Sequence, residues 1–289
     1  MRLEARGIAL EVEAHGPADG PALILIRGLG TQLVHWPQEL VRGFAHRGFR
    51  TVIFDNRDVG RSARCPAPGV PGDRKRILAA LRAGAPPAPA YGLDDMAGDV
   101  IGIMDRLGIG RAHVFGISMG GVIAQILAID HADRLLSACI VMSAARLNDP
   151  GLLERLLVED LDRTAFQDAW VAAHAEFGSP GYPMAEAEIR REAGRAWDRG
   201  ADAAGVNRQA LAIAAAPDRR RELPGVKRPC LVIHGADDRL IPPAAGREIA
   251  ALIPGAELRI IEGMGHIITP ALAPEIVGTV DRFLARAAP

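Results

Sequence analysis

The chain has 289 residues, of which 49% are hydrophobic and 24% charged, with a formal net charge of −1. That length holds one large domain or two modest ones around a real hydrophobic core, and the composition excludes a disordered chain. The near-zero charge gives no electrostatic basis for a nucleic-acid or anionic-membrane partner. No apolar run approaches the about 18 residues of a transmembrane helix.

The first segment, "MRLEARGIALEVEAHG", alternates apolar and polar residues like a strand and lacks a signal-type apolar block. Short apolar runs then recur at Ala22 to Ile26, Thr51 to Phe54, Ala112 to Ile117, Ser137 to Met142, Cys230 to Gly235 and Glu257 to Gly263. Most are apolar on both faces, as parallel strands covered by helices are. Between them lie helical patterns. "WPQELVRGFAHRG" starts near Pro37 and stops before Gly48. "LDDMAGDVIGIMDRLGI" places Met96, Val100, Ile103, Met104 and Leu107 on one face, with acidic residues in the first turn. "PPAAGREIAALIPG" and the C-terminal "PEIVGTVDRFLARA" complete the set. Strands alternating with such helices predict an α/β fold with a largely parallel sheet. The proline-rich stretch from Arg64 to Gly92 reads as mobile loops.

From Arg146 to about Glu222 the alternation stops. Pro150, Gly178 to Gly181, Gly200 and Pro217 divide this region into about four helices with no convincing strand, the pattern of a lid inserted before the last two strands. Its Leu152, Leu153, Leu156, Leu157, Phe166, Trp170, Phe177 and Trp197 fit either an apolar pocket wall or ordinary packing of lid on core. His174 is read first as an exposed or packed histidine, with a place facing substrate as the alternative, and the basic "PDRRRELPGVKRP" as a solvated connection. Of three cysteines, Cys139 and Cys230 sit inside apolar runs as core thiols, and with Cys65 they form no disulfide framework. This suits a reducing cytoplasm.

Chemistry concentrates in "HVFGISMGGVIAQ", His113 to Gln125. Gly116-Ile117-Ser118-Met119-Gly120 follows a strand pattern and precedes a helix pattern, the context a G-x-S-x-G nucleophile elbow requires. The serine of such a turn is strained, and the residues two before and two after must lack side chains so that strand and helix can approach. With five serines and 32 glycines in the chain, chance supplies roughly 0.06 matches. A nucleophilic serine needs a base and a group that orients the base. Asp237 and Asp238 end one later strand, and His266 follows the last strand in a turn that carries Gly263 and Gly265, so the order Ser, Asp, His is met. Each candidate follows the carboxyl end of a strand, where α/β sheets place their sites. From spacing alone the adjacent aspartates remain alternatives. His35, His113, His131 and His234 lack metal-ligand spacing, and no P-loop or dinucleotide fingerprint is present, so neither metal nor cofactor is expected.

The segments "GLGTQLVHWP", "FDNRDVGRS", "GISMGG", "LVIHGADDRLIP" and "GMGH" resemble the α/β-hydrolase superfamily over essentially the whole length, and its branch of aclacinomycin methylesterase-like small-molecule carboxylesterases. The resemblance implies an α/β-hydrolase fold: a mostly parallel eight-stranded sheet flanked by helices, with residues 1–145 and 223–289 as core and 146–222 as a helical cap. It assigns Ser118 as nucleophile, His266 as base and Asp238 as the acid, leaving Asp237 outside the triad. Leu29 and Met119 match the backbone donors of the oxyanion hole. Arg27 stands where the superfamily usually has histidine, a departure that bears on local hydrogen bonding and pocket polarity. "FDNRDVGRS" matches a largely structural turn, a hydrogen-bonded scaffold. The implied activity is hydrolysis of small, partly apolar carboxylic esters through an acyl-enzyme. Lactonase, carbon–carbon bond hydrolase and perhydrolase chemistries use the same triad, and a non-catalytic receptor for a small ligand uses the same fold.

Overall fold

The computed structural model describes residues 1–147 and 150–287. Asn148, Asp149, Ala288 and Pro289, which the expected cap and core spans include, lie outside the described residues.

The N-terminal alternation is a hairpin, β1 (Arg2–Ala5) and β2 (Ile8–His15), turned at Arg6 and Gly7 with φ of 52° and 81°. Next come β3 (Ala22–Ile26), α1 (Gln38–Ala45) and β4 (Arg50–Phe54). The stretch expected to be loops between Arg64 and Gly92 instead contains a helix, α2 (Arg74–Arg82). Asp73 caps it by accepting from the Arg76 N–H at 2.9 Å, and buried Ile77 holds it against the inserted helices described below. Flanking prolines concealed this short, basic helix, which has one fully packed apolar residue. Then follow α3 (Leu93–Arg106), β5 (Ala112–Ile117), α4 (Met119–Asp130) and β6 (Leu135–Val141). Four helices, α5 (Pro150–Leu156), α6 (Arg163–Phe177), α7 (Glu186–Asp198) and α8 (Ala203–Ala215), are inserted before β7 (Cys230–Gly235). The chain closes with α9 (Pro243–Leu252), β8 (Glu257–Ile261) and α10 (Ala273–Ala287).

All eight strands form one sheet in the order β1-β2-β4-β3-β5-β6-β7-β8. The β1–β2 and β2–β4 pairs are antiparallel and the remaining pairs parallel. The central strands are buried on both faces because successive side chains point to opposite sides. Ile24, Ile26 and Val114 pack with Met96 and Val100 of α3 and Val122 of α4. Leu23, Leu25 and Phe115 pack with Leu40 and Phe44 of α1 and Ile276 and Val280 of α10. No helix among the described residues is long and apolar enough to cross a membrane.

The acidic turn after β4 ties the inserted helices to the sheet. Asp55 accepts from the Leu33 and Arg61 N–H groups at 2.7 and 2.9 Å, and from Arg199 Nη2 at the end of α7 at 2.7 Å. Asp58 is fully buried and accepts from Arg208 of α8 through Nε and Nη2, at 2.9 and 2.6 Å, and from the Tyr91 hydroxyl at 2.6 Å. Burying a carboxyl group is costly unless it is hydrogen-bonded by such a set of partners.

Candidate active site

Ser118 stands between β5 and α4 with φ 53° and ψ −117°, a conformation L-residues enter only when their surroundings over-determine it. The surroundings here are close. A Cβ on Gly116 would sit 2.0 Å from the Gly120 carbonyl oxygen, and one on Gly120 would sit 2.2 Å from the Ile26 carbonyl oxygen. The Ser118 N–H donates to Val141 on β6 at 2.9 Å, and its carbonyl accepts from the Ser143 hydroxyl at 2.9 Å. The strained turn is therefore held from both sides.

His266 Nε2 lies 3.0 Å from Ser118 Oγ, and its Nδ1 lies 2.7 Å from Asp238 Oδ2. The other oxygen of Asp238 accepts from the Leu240 and Ile241 N–H groups, each at 2.9 Å. Burial by itself would raise the Asp238 pKa. Hydrogen bonds from His234 and His266, the His266 charge and the Ile241 N–H outweigh it and hold the carboxyl below the ordinary carboxylate range. Asp237 points elsewhere: its Oδ2 accepts from the Gly263 N–H at 2.9 Å and closes the turn after β8. The two neighbouring aspartates thus part company, Asp238 reaching the histidine and Asp237 the backbone.

Opposite Ser118 lies the loop after β3. A Cβ on Gly28 would meet the Ser118 Cβ at 3.3 Å, so this loop passes close to the hydroxyl. Gly30 donates to Gln209 Oε1 of α8 at 2.9 Å, whereas the Leu29 N–H has no acceptor among the described residues. Met119 begins α4, and its N–H belongs to the first helical turn, which lacks intrahelical acceptors.

A cavity of about 400 Å³ opens over Ser118, Met119, Leu29 and His266. Leu152 and Leu156 of α5, Phe166, Trp170 and Phe177 of α6, and Trp197 of α7 line its apolar side. Leu153 and Leu157 turn away and pack against Ile77, Ala210 and Leu211. The leucine and aromatic set therefore divides between pocket and packing. Arg27, His35, His174 and Glu192 line the cavity as well. Arg27, 8% exposed, donates to Thr31 Oγ1 and the His35 carbonyl at 3.1 and 3.2 Å and lies over the Trp36 ring. Among the described residues no group of three or more His, Cys, Asp or Glu side chains is placed to hold a metal ion.

Several supporting residues escaped the sequence reading. His234 is buried with Nε2 2.9 Å from the Ile241 carbonyl and 3.3 Å from Asp238 Oδ2; in sequence it is one more apolar-strand histidine. Ser179, in a glycine- and proline-rich stretch that reads only as a helix break, clasps the histidine loop. Its hydroxyl donates to the Ile267 carbonyl at 2.6 Å and accepts from the Gly265 N–H at 3.0 Å. His266 itself donates its N–H to the Phe177 carbonyl at 2.7 Å. No local signal marks such contacts across roughly 90 residues of chain; only the fold brings them together.

Comparison with known proteins places this geometry in a wider group. The chain is 31% identical to a putative carbamate hydrolase, RutD, of Variovorax paradoxus (strain S110), over 72% of this chain and 78% of that one. It is 27% identical to rhodomycin D methylesterase DauP of Streptomyces sp. (strain C5), over 91% and 90%. The crystal structure of the enol-lactonase from Burkholderia xenovorans LB400 superposes with a TM-score of 0.77 at 30% identity, over 99% of this chain and 100% of that one. The family model for the alpha/beta hydrolase fold matches residues 21–269. The eight-stranded sheet, the elbow at its centre and this match lead to one conclusion: the chain belongs to the α/β hydrolase fold family.

Proposed function

We propose that the protein is a serine hydrolase that cleaves carboxylic esters of small, partly apolar molecules through an acyl-enzyme. The observation that carries this reading is the unbroken relay from Asp238 Oδ2 to His266 Nδ1 and from His266 Nε2 to Ser118 Oγ, at 2.7 and 3.0 Å. The methylesterase, carbamate hydrolase and enol-lactonase relatives support it, since each is named for attack at an acyl carbon bearing a heteroatom.

In this mechanism Ser118 Oγ attacks the ester carbonyl while His266 Nε2 takes its proton. Asp238, kept ionised, holds the Nδ1–H tautomer and stabilises the imidazolium that forms. The Leu29 and Met119 N–H groups receive the carbonyl oxygen as it becomes negative; one such donor is worth about 10²–10³ in rate. His266 then protonates the departing alcohol, breaking the C–O bond and leaving the acyl group on Ser118. A water that gives its proton to His266 attacks the acyl carbon, and the carboxylic acid leaves as Ser118 recovers its proton.

Residues 146–222 serve as a cap over this centre, with 1–145 and 223–289 as core. The cavity walls contributed by α5, α6 and α7 support that division, and its volume suits a small organic ester. Three unpaired cysteines support a reducing, cytoplasmic location. A lactone is an ester closed into a ring and meets the same chemistry; the enol-lactonase neighbour favours testing it alongside open esters.

The test is hydrolysis of p-nitrophenyl acetate, butyrate and octanoate and of a simple lactone by the wild type and by Ser118→Ala. Serine removal in subtilisin costs about 10⁶ in kcat, and a loss of that order is expected here. Turnover surviving Ser118→Ala would refute the assignment.

A further inference from the structure

The polar corner of the cavity does nothing in the hydrolytic steps, yet its groups are costly to bury without partners. Arg27 uses Nε and Nη1 in hydrogen bonds to Thr31 and His35, and Nη2 has no partner among the described residues. His35 is 3% exposed and its ring stacks on Trp170 at 4.3 Å and 11°. Its Nδ1 lies 2.8 Å from the Gln32 N–H and 3.2 Å from the Gln32 carbonyl; the shorter contact, with the N–H donating, puts the proton on Nε2, and that buried Nε2 has no hydrogen-bond partner among the described residues. Both residues line a cavity whose other walls are largely apolar, and each keeps a donor without a protein acceptor among the described residues. Glu192 of α7 lines the same cavity, forms no hydrogen bond or ion pair among the described residues, and lies within electrostatic reach of Arg27.

We propose that Arg27, His35 and Glu192 form a recognition subsite for a carboxylate carried by the substrate at a distance from the scissile ester. The guanidinium and the His35 Nε2–H supply the charge-assisted and neutral donors that a carboxylate takes. The balance of charge decides against a cationic substrate. Burial lowers Arg27 to about 10, Glu192 opposing, so it stays charged at neutral pH. Burial raises Glu192 to about 7 against the pull of Arg27 and Arg195, so near neutrality this acid can be protonated and join the donors. His35 stays neutral, held well below its ordinary value by burial and then by Arg27. His174, on α6, is likewise lowered by burial. Glu188 and Arg195, both on α7, complete the charged groups acting on Glu192. A bound anion thus gains most when Glu192 carries a proton, and the preference weakens as pH rises through about 7.

The inference rests on the esterase reading for its first assay. Monoethyl adipate is compared with the isostere whose carboxylate is replaced by an isopropyl terminus. The acetate ester of a hydroxybutanoate is compared with its own isopropyl-terminated isostere, so that acyl and alcohol sides are both covered. Acid release is followed at constant pH for wild type, Arg27→Met and Glu192→Gln, and the readout is the ratio of kcat/KM within each pair. At pH 6 the wild type should favour the carboxylate member of at least one pair, and Arg27→Met should lower that ratio about tenfold or more. Between pH 6 and 8.5 the wild-type ratio should fall, while that of Glu192→Gln stays level, which keeps the test alive if Arg27→Met fails to fold. Ratios at or below one in both pairs, a ratio indifferent to both substitutions, or preference for the acetate ester of trimethylammoniopropanol would overturn the inference while leaving the esterase reading intact. Absence of any turnover would count against the esterase reading. The subsite is then judged by tryptophan fluorescence with the inert N-propyl monoamide of adipic acid against its neutral diamide: saturable binding of the anion that Arg27→Met or Glu192→Gln alters supports it, and equal or absent binding overturns it.

Discussion

The cavity has two walls built on different terms. The sheet-side wall holds Ser118, Asp238 and His266 at the ends of β5, β7 and β8, and backbone bonds fix each residue's neighbourhood: Val141 for Ser118, Leu240 and Ile241 for Asp238, Phe177 for His266. The helix-side wall offers Trp170, Phe166, Trp197 and Glu192 from α6 and α7, held by side-chain stacking and by arginine–aspartate pairs that include Arg199–Asp55 and Arg208–Asp58. The first wall suits chemistry, which needs reacting atoms fixed within fractions of an ångström. The second suits selection, where shape and a few polar groups decide what binds.

The largest effects should come from the sheet side. Asp238→Asn should lower kcat about 10⁴-fold, since an amide cannot hold the histidine tautomer or its charge, whereas Asp237→Asn should change kcat only a few-fold. Steady-state kinetics of the two variants on one p-nitrophenyl ester reads this contrast directly, and equal effects would erase it. Next comes the anchoring of the helix side. Arg208→Met strips the fully buried Asp58 of its bidentate partner, and urea unfolding should show a loss of about 3–5 kcal/mol. A loss below about 1 kcal/mol would mean that the inserted helices hold themselves.

Ser179→Ala tests where the walls meet. It removes the hydroxyl between Gly265 and Ile267, on either side of His266, and should lower kcat about tenfold with little change in KM, because it loosens the base rather than the pocket. The smallest effect concerns acid stability. Asp238 has a folded pKa below its ordinary value, so its contribution is present above about pH 4 and is lost as pH falls through and below the ordinary carboxylate value. Asp238→Asn should therefore flatten the acid limb of a stability–pH curve measured by thermal unfolding; an unchanged limb would contradict that sign.

The sheet wall was nearly all legible in the sequence, because its signals are local. Gly116, Gly120 and the strand and helix patterns around Ser118 are consequences of steric contact between adjacent elements. Spacing alone left Asp237 and Asp238 as alternatives, and only the resemblance singled out Asp238. Which carboxylate faces the Gly263 N–H and which faces His266 depends on how β7 and β8 end side by side. On the helix side, periodicity gave four helices but not which leucines face inward. Leu152 and Leu156 line the cavity while Leu153 and Leu157 pack on α2 and α8, and α2 itself was hidden among prolines. Glu192 carries no local signal in its sequence; only the tertiary fold brings it within reach of Arg27.

The most direct measurement of the central claim is reaction of the protein with a fluorophosphonate, followed by mass spectrometry of the peptide spanning the elbow. The account predicts one stoichiometric phosphonyl adduct on Ser118, abolished in Ser118→Ala and strongly slowed in His266→Ala. A folded protein that stays unmodified, or that carries its adduct on another residue, would contradict it.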